Sequence, residues 1–164
     1  MHIRLISIEQ LAQELGYSGA NSSCRDWLAT LRITPVPGRR GWYDPLLVRR
    51  RLDEAETLMR DGIQACRNTN DLANLTRFLG TLGQLLLQRL QFREAMPWFE
   101  ESIQVARLIQ NPMDEMIPRS LMAEAVRYAG DKRRALELNR EVLAFARERL
   151  APLDLLLPLL LIAK

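Results

Sequence analysis

The stretch Asp44–Arg67, DPLLVRRRLDEAETLMRDGIQACR, decides how the rest of the chain is organised. Asp44 followed by Pro45 is typical of a helix start, because an aspartate caps the free amides of the first turn and a proline at the first helical position loses no hydrogen bond. Apolar or small residues then recur every three or four positions and predict one buried stripe, formed by Leu47, Val48, Leu52, Ala55, Leu58, Met59, Gly62, Ile63 and Cys66. The stretch therefore predicts a long amphipathic helix.

The second half of this helix has two later copies in the chain. They are marked by three alanines that follow one another at equal intervals, Ala55, Ala95 and Ala135. Partner helices are predicted between the copies, at Leu72–Leu90 and at about residues 116–129. A fixed period of this size indicates a repeat architecture, in which each helical hairpin packs on the next. The predicted fold class is mostly α, with antiparallel helical hairpins over residues 52–164.

The positive charge is concentrated in the first third of the chain. Residues 1–51 contain eight arginines and four carboxylate residues, whereas the remainder contains 15 basic and 16 acidic residues. A surface of this kind suits a polyanion such as nucleic acid. Only two of the 23 basic residues are lysine, so a general preference for arginine is an alternative explanation. That preference does not explain why so few acids accompany the early arginines.

The arginine-rich third predicts a small domain of its own. A capping box from Ser7 to Gln10 starts a first helix, which ends at Gly16 in the left-handed conformation that glycine favours. After a tight turn, Asn21 or Ser22 caps a second helix that extends to about residue 31. Two helices joined by a short turn form the arrangement that places the second helix in the major groove of DNA.

The segment Thr34–Tyr43, TPVPGRRGWY, follows the second helix. It is rich in proline and glycine and is flanked by residues that favour strands, so it predicts a hairpin with Arg39 and Arg40 at its tip. Because aromatic side chains dominate small cores, three aromatic residues are expected to anchor the core of this domain. They are Trp27, Trp42 and Tyr43.

These features together resemble the excisionase and MerR-like winged helix-turn-helix DNA-binding domains over about residues 5–53. The resemblance is carried by SIEQLA at Ser7–Ala12, by Gly16–Ser18, by Trp27, by the PGRR hairpin and by Asp44–Val48. It implies a recognition helix around Asn21–Arg32 in the major groove, with the wing arginines on the backbone or in the minor groove. Of the adjacent arginines 49–51, at most two can face one partner. The predicted DNA-contacting residues are Ser22, Ser23, Arg25, Arg32, Arg39, Arg40, Arg49 and Arg50.

The later helices resemble the tetratricopeptide repeat over about residues 50–163. The matching positions are Leu82, Gly83, Leu86, Ala95 and Phe99, and then Ala123 to Val126, Gly130, Asp131 and Ala135. The resemblance implies that small residues lie where paired helices cross and that Gly130 permits a turn. Independently of the name, two helices approach to about 8 Å only where their side chains are small. The interval between the alanines exceeds the usual tetratricopeptide period of about 34 residues and suggests a variant with longer helices.

The end of the chain repeats an earlier pattern. Asp114, followed by Pro118, recurs after the same interval as Asp154, followed by Pro158. Each aspartate is predicted to cap a helix, with the proline in its first turn. The helix expected from Leu155 is apolar on all sides and, at about nine residues, too short for a bilayer, which needs roughly 20. Either the chain is a piece of a longer array truncated at its C-terminus, or this helix packs against a second subunit and makes the protein a dimer.

Catalysis, cofactors and metals find little support in the sequence. His2 is the single histidine, no glycine-rich phosphate loop is present, and Cys24 and Cys66 lack the spacing of metal ligands. We therefore expect no enzymatic activity, no cofactor, no metal site and no disulfide. The start of the chain lacks the pattern of a signal peptide, so the cytoplasm, in association with the nucleoid, is the expected location.

Three functions remain open from the sequence. The favoured one is a transcriptional regulator that binds double-stranded DNA through the first domain and uses its repeats for dimerisation or for a protein or peptide ligand. The second is a tetratricopeptide interaction scaffold without DNA binding, whose arginines bind an acidic protein. The third is a peptide-sensing switch, which rests on analogy of architecture alone.

Overall fold

The computed structural model describes residues 4–149, and over these residues the protein is mostly α. His2 and the helix predicted from Leu155 lie outside the described residues. None of the helices within residues 4–149 combines the length and apolar character needed to cross a membrane. The elements in chain order are β1 (Ile6–Ser7), α1 (Ile8–Glu14), α2 (Ser22–Thr30), β2 (Trp42–Tyr43), α3 (Pro45–Thr69), α4 (Leu72–Gln88), α5 (Phe92–Leu108), α6 (Pro112–Tyr128) and α7 (Lys132–Arg149).

These elements form two compact units. The first unit contains the described residues up to Leu58 together with Gln88–Leu90. The second contains Met59–Leu87 and the described residues from Gln91 onward. The division between them falls within α3 and again at the end of α4, so these two helices contribute residues to both units.

The start of α3 confirms the predicted cap. The Asp44 carboxylate accepts a hydrogen bond of 2.9 Å from the Leu46 amide, and Pro45 is the first helical residue. The prediction that Leu58 belongs to the buried stripe is wrong, because its side chain is 65% exposed. Met59 takes the inward position of that turn, and Leu58 lies about 100° away from it around the helix.

A two-stranded sheet and the end of α4 complete the first unit. Strands β1 and β2 pair antiparallel, with Ile6 opposite Tyr43. Arg89 forms ion pairs of 2.8 Å with both Asp53 and Glu56. The core between these elements is apolar and includes Ile8, Leu11, Ala12, Leu15, Cys24, Leu28, Ile33, Tyr43 and Val48.

Consecutive helices of the second unit pack antiparallel. Near the turn between α5 and α6, Arg107 contacts Glu115 at 2.8 Å. At the opposite end of the same two helices, the rings of Phe92 and Tyr128 stack with their centroids 5.3 Å apart. The core that these helices enclose is centred on large apolar side chains of α4 and α5 and includes Leu79, Leu82, Leu86 and Phe99.

The ends of helices α3, α4, α5 and α6 share one type of turn, and these four turns are evenly spaced along the chain. The residue in the left-handed conformation is Asn70, Leu90, Gln110 or Gly130, with φ of 54°, 60°, 53° and 97°. In each case the amide of the following residue returns to a carbonyl five positions earlier, as in the bond of 2.9 Å from Asp71 to Cys66. This is the Schellman arrangement, which satisfies carbonyls that the helix end leaves free. The predicted role of Gly130 is thereby confirmed.

The residue after each turn precedes the next helix. The prediction that Asp114 caps α6 is wrong. Helix α6 begins at Pro112, earlier than expected, because the Asn111 side chain accepts hydrogen bonds from the amides of Met113 and Asp114. Asn111 is therefore the cap, and Asp114 lies in the first turn. The earlier start places Pro118 inside the helix and beyond the first turn. Helix α4 also ends earlier than predicted, at Gln88.

Two glycines allow close contact between helices. A Cβ atom on Gly83 would lie 2.6 Å from the Phe99 ring of α5, and one on Gly62 would lie 2.7 Å from the Phe78 ring of α4. The sequence predicted the small residue at Gly83, and Ala95, Ala123 and Ala135 are buried as expected. The role of Gly62 in this contact was not predicted.

A charged cluster joins three helices of the second unit. The buried Glu115 carboxylate of α6 accepts hydrogen bonds from Arg107 of α5 at 2.8 Å and from Arg119 at 3.0 Å. The Arg119 guanidinium also lies 4.9 Å from the ring centroid of Phe145 in α7. Burial by itself raises the pKa of the Glu115 carboxyl, but the two arginines outweigh this effect and hold the pKa below its usual value.

Replacing Gly83 with alanine should destabilise the protein. The Phe99 ring is fully buried, so a methyl group on residue 83 would overpack this contact, and we expect the free energy of unfolding to fall by about 1–3 kcal/mol. The matched control is Gly80→Ala in the same helix, where the nearest atom to a new Cβ is the Ser102 hydroxyl at 3.5 Å. That change should raise stability by about 0.5–1 kcal/mol. Urea denaturation measures both, and equal effects would contradict the close contact.

Replacing Glu115 with glutamine should reduce stability in a pH-dependent way. A carboxyl whose folded-state pKa is lowered stabilises the fold above its unfolded pKa, about 4.3, and loses this contribution as the pH falls through the folded value. We expect a loss of about 2 kcal/mol at neutral pH, shrinking on acidification. The control is Glu100→Gln, an exposed position that forms no ion pair within residues 4–149. A pH-independent difference in thermal stability would argue against the charged cluster.

Candidate nucleic-acid interface

Helix α2 presents three of the predicted contact residues at its N-terminal end. Ser22, Ser23 and Arg25 are exposed, while Cys24 and Leu28 face the core. The helix begins here because the Asn21 side chain accepts a hydrogen bond of 2.9 Å from the amide of Cys24. Of the two caps that the sequence left open, Asn21 is therefore the one used.

Arg32 lies at the other end of the same helix. It follows the C-cap in a left-handed conformation, with φ of 54°, and the next amide, of Ile33, bonds to the Leu28 carbonyl at 2.8 Å. From the helical rise, Arg32 is roughly 15 Å along the axis from Ser22. The structure thus separates Arg32 from the contact residues of the first turn.

The loop Val36–Trp42, which we call the wing loop, carries Arg39 and Arg40. The Val36 amide donates to the Trp42 carbonyl at 2.8 Å, and the Trp42 amide donates to the Arg39 carbonyl at 3.0 Å. The Gly41 carbonyl accepts from the first residue of α1, Ile8, at 2.9 Å. Both arginines are exposed, so the loop holds them outward on a backbone fixed at its base.

This loop differs from the predicted hairpin. The strand partner of β2 is β1, which precedes α1, and the segment before the loop forms no strand. Pro35 and Pro37 explain the difference, because neither has an amide hydrogen to donate to a ladder. Gly38 and Gly41 have φ of 75° and 80° with open space around them, so glycine is required here by backbone conformation and not by crowding.

The aromatic residues of β2 point in opposite directions. Tyr43 is buried, whereas Trp42 is 46% exposed. Trp42 was expected in the core, and this expectation is wrong, since successive side chains of a strand face opposite sides and the inward position belongs to Tyr43. Trp27 is half-buried, with its ring centroid 6.3 Å from that of Tyr17.

The positive charge of Arg25 acts on Tyr43 of β2 and on Cys24 of α2. Burial raises the pKa of the Tyr43 hydroxyl and the nearby Cys24 raises it further, whereas the positive charge of Arg25 lowers it. The pKa of the Cys24 thiol is likewise raised by burial, against the opposing effect of Arg25. A buried thiol with a raised pKa is a poor nucleophile.

Of the three arginines near the start of α3, two form ion pairs with Glu54 and one does not. Arg50 lies 3.7 Å and Arg51 2.9 Å from its carboxylate, whereas Arg49 is exposed and has no such partner within the described residues. The same holds for four other predicted contact residues. Over residues 4–149, no ion pair or side-chain hydrogen bond is made by Arg25, Arg32, Arg39, Arg40 or Arg49.

The exposed surface near these arginines includes two residues that the sequence analysis did not select. Asp26 lies on the outward face of α2 between Ser22 and Thr30. Trp42 lies at the base of the wing loop. Strand alternation between Trp42 and the apolar anchor Tyr43 was the available signal for the outward orientation of Trp42.

The second unit contains a groove of about 150 Å³. The Thr76 and Ser102 side chains on its floor bond to each other's backbone carbonyls at 3.0 and 2.8 Å, which ties α4 to α5. Among residues 4–149 no group of three or more histidine, cysteine, aspartate or glutamate side chains is placed to hold a metal ion. The groove is lined by Thr76, Arg77, Gly80, Thr81, Gln84, Ser102, Asp114, Ile117, Pro118 and Leu121.

Comparison of the sequence with protein-family models and with curated proteins returns no match.

Replacing Asn21 with alanine should weaken the start of α2. The variant loses the hydrogen bond to the Cys24 amide, and we expect the free energy of unfolding to fall by about 1 kcal/mol. The adjacent change Ser22→Ala is the control, because Ser22 makes no capping hydrogen bond and should be close to neutral. Chemical denaturation of both variants tests the assignment, and a larger effect at Ser22 would reverse it.

Proposed function

We propose that the protein is a DNA-binding transcriptional regulator. In this proposal the first unit is a small winged helix-turn-helix domain, with α2 as the recognition helix and the wing loop as the wing. The second unit is a tetratricopeptide-like array of helical hairpins that mediates dimerisation or binds a protein or peptide. Its place in the cell would be the cytoplasm, in association with the nucleoid.

The observation that carries the proposal is the presentation of Arg39 and Arg40. Both are exposed and without a carboxylate partner in the described part of the chain, on a loop whose backbone hydrogen bonds fix it at the base. Guanidinium groups pair with phosphate oxygens through two parallel hydrogen bonds. A fixed loop also loses little conformational entropy when it binds. Arg25 and Arg49, which also lack an ion pair among residues 4–149, add two further positive charges to the same unit.

The outward face of α2 suits base contacts better than phosphate contacts. Ser22 and Ser23 have short polar side chains at the N-terminal end, where recognition helices approach the bases. Asp26 would repel a phosphate but can accept a hydrogen bond from the amino group of cytosine. In this arrangement the wing loop, Arg49 of α3 and Arg25 supply the positive charge, and Ser22, Ser23 and Asp26 of α2 supply the sequence preference.

Dimerisation would allow the regulator to contact two half-sites on DNA. Two copies of α2 would enter successive major grooves about 34 Å apart on a partly palindromic site. Two of the large apolar side chains exposed in the second unit are Leu108 and Leu136, which offer surface for such an association.

The groove of the second unit favours a second candidate function, that of a protein-interaction scaffold. Its walls combine charged and polar side chains, Arg77, Gln84 and Asp114, with the apolar Ile117 and Leu121. This mixture suits a peptide that offers both polar and apolar side chains. In the scaffold the arginines of the first unit would bind an acidic protein, and DNA would bind weakly or not at all.

The double variant Arg39→Ala, Arg40→Ala tests the DNA-binding proposal. We expect wild-type protein to bind a random-sequence duplex with an affinity that falls by orders of magnitude between about 50 and about 200 mM salt. The double variant should bind more weakly, with a salt slope smaller by about 2, because each lost phosphate contact removes about one unit. Fluorescence anisotropy of the labelled duplex measures both quantities.

The control variant is Arg93→Ala, Arg140→Ala, which removes the same charge from two exposed arginines of the second unit. It should leave the salt slope of the wild type almost unchanged. A folded wild-type protein that does not bind DNA even at low salt would exclude the regulator and leave the scaffold as the function to pursue.

A further inference from the structure

Among the residues that the structure describes, Trp42 differs from the other two tryptophans because its ring has neither an aromatic nor a cationic partner. Trp27 lies beside the Tyr17 ring, and the Arg60 guanidinium covers Trp98 with 5.2 Å to the ring centroid. Within residues 4–149 the Trp42 ring makes no aromatic or cation–π contact, and its indole N–H has no hydrogen-bond acceptor. The side chain is 46% exposed. It therefore presents a large apolar area to solvent, and this exposed area makes no stabilising contact within residues 4–149.

The backbone of Trp42 is nevertheless held firmly. Its amide donates to the Arg39 carbonyl and its carbonyl accepts from Val36, while Ser7 is its partner across the sheet. The next residue, Tyr43, is buried in the core of the first unit. The ring is therefore displayed on a fixed support, so that contact with a partner would order little more than one side chain.

The charges around Trp42 identify the chemistry of that partner. Arg39 and Arg40 precede it by three and two residues, are exposed, and lack a carboxylate within the described residues. The nearest carboxylate along the chain, Asp44, is engaged in capping α3. A surface that combines an apolar ring with unpaired guanidinium groups complements a polyanion that also has apolar parts. Duplex DNA offers both, because its phosphates alternate with deoxyribose rings and its base edges line the grooves.

We propose that Trp42 packs its indole ring against the deoxyribose and base edges at the wall of the DNA groove that receives the wing loop. This inference rests on the proposed function, and it adds a contact that is apolar in character. Arg39 and Arg40 supply the salt-dependent part of the binding energy at the wing. Trp42 supplies a part that salt does not weaken, and it sets how deeply the loop enters the groove.

The test compares Trp42→Ala with Trp42→Phe in the same salt series. Packing of the ring against deoxyribose removes apolar surface from water, and its contribution to binding follows the area buried and is not screened by salt. Trp42→Ala should therefore weaken binding roughly ten- to hundred-fold at every salt concentration, and the salt slope should stay that of the wild type. Trp42→Phe keeps a ring and should recover most of the affinity. Leu58→Ala is the control, because it removes another exposed apolar side chain of the first unit, 65% exposed and about four helical turns along α3 from β2.

Intrinsic fluorescence provides a second and independent measurement. Addition of unlabelled duplex should change the tryptophan emission of the wild type, and the change should be lost in Trp42→Phe, which retains Trp27 and Trp98. If Trp42→Ala lowers the melting temperature, the comparison of Trp42→Phe with Trp42→Leu decides the matter. Binding retained with phenylalanine and lost with leucine supports the ring contact.

The outcomes separate the two proposals. Trp42→Ala binding DNA as tightly as wild type would overturn the ring contact and leave the DNA-binding function standing. Equal binding by the phenylalanine and leucine variants would also overturn it. Absence of salt-dependent DNA binding by the wild-type protein would overturn the proposed function and this inference together.

Discussion

The turn that recurs at regular intervals along the chain is the constraint on which the second unit depends. Each copy ends a helix with a left-handed residue and a hydrogen bond back over five positions, at Asn70, Leu90, Gln110 and Gly130. Because α4, α5 and α6 each contain 17 residues, successive turns return the chain at the same distance and place neighbouring helices antiparallel. Only one of the four turn residues is glycine, so packing between helices offsets the cost of the conformation at the other three.

Contacts across the helices then fix how closely they approach. The Phe99 ring lies where a side chain on Gly83 would stand, and the Thr76 and Ser102 hydroxyls bond reciprocally between the same two helices. The Glu115 cluster adds a charged hydrogen bond between α5 and α6 and a cation–π contact from Arg119 of α6 to Phe145 of α7. A polar contact of this kind stabilises the fold only when every buried donor and acceptor is paired. The groove lined by α4, α5 and α6 is a consequence of this packing and not a separate feature.

The first unit is built differently from the second, because its small apolar core carries an exposed, positively charged surface. Tyr43 and Cys24 are buried, and the residues next to them, Trp42 and Arg25, face outward. The wing loop is fixed by backbone hydrogen bonds, so its arginines are oriented without using their own side chains for internal contacts. Arginines of the second unit are more often engaged with carboxylates, as Arg67 is with Glu101 at 2.6 Å. The excess of arginine over acidic residues in residues 1–51 therefore corresponds, in the structure, to exposed arginines without carboxylate partners among residues 4–149.

The sequence by itself determined the mostly α class, the start of α3 at Pro45, the capping box at Ser7 and the small residue at Gly83. These depend on local hydrogen bonds and on periodicity, which neighbouring residues specify. Asp71, Gln91, Asn111 and Asp131, which precede α4 to α7, also recur in the sequence at half the interval that separates Ala55, Ala95 and Ala135. The tertiary structure alone decided the strand partner of β2, the exposure of Trp42 and Leu58, and the absence of carboxylate partners for the wing arginines within residues 4–149. Each of these depends on contacts between residues that are far apart in the sequence. Tertiary packing determines such contacts, and the local sequence pattern does not.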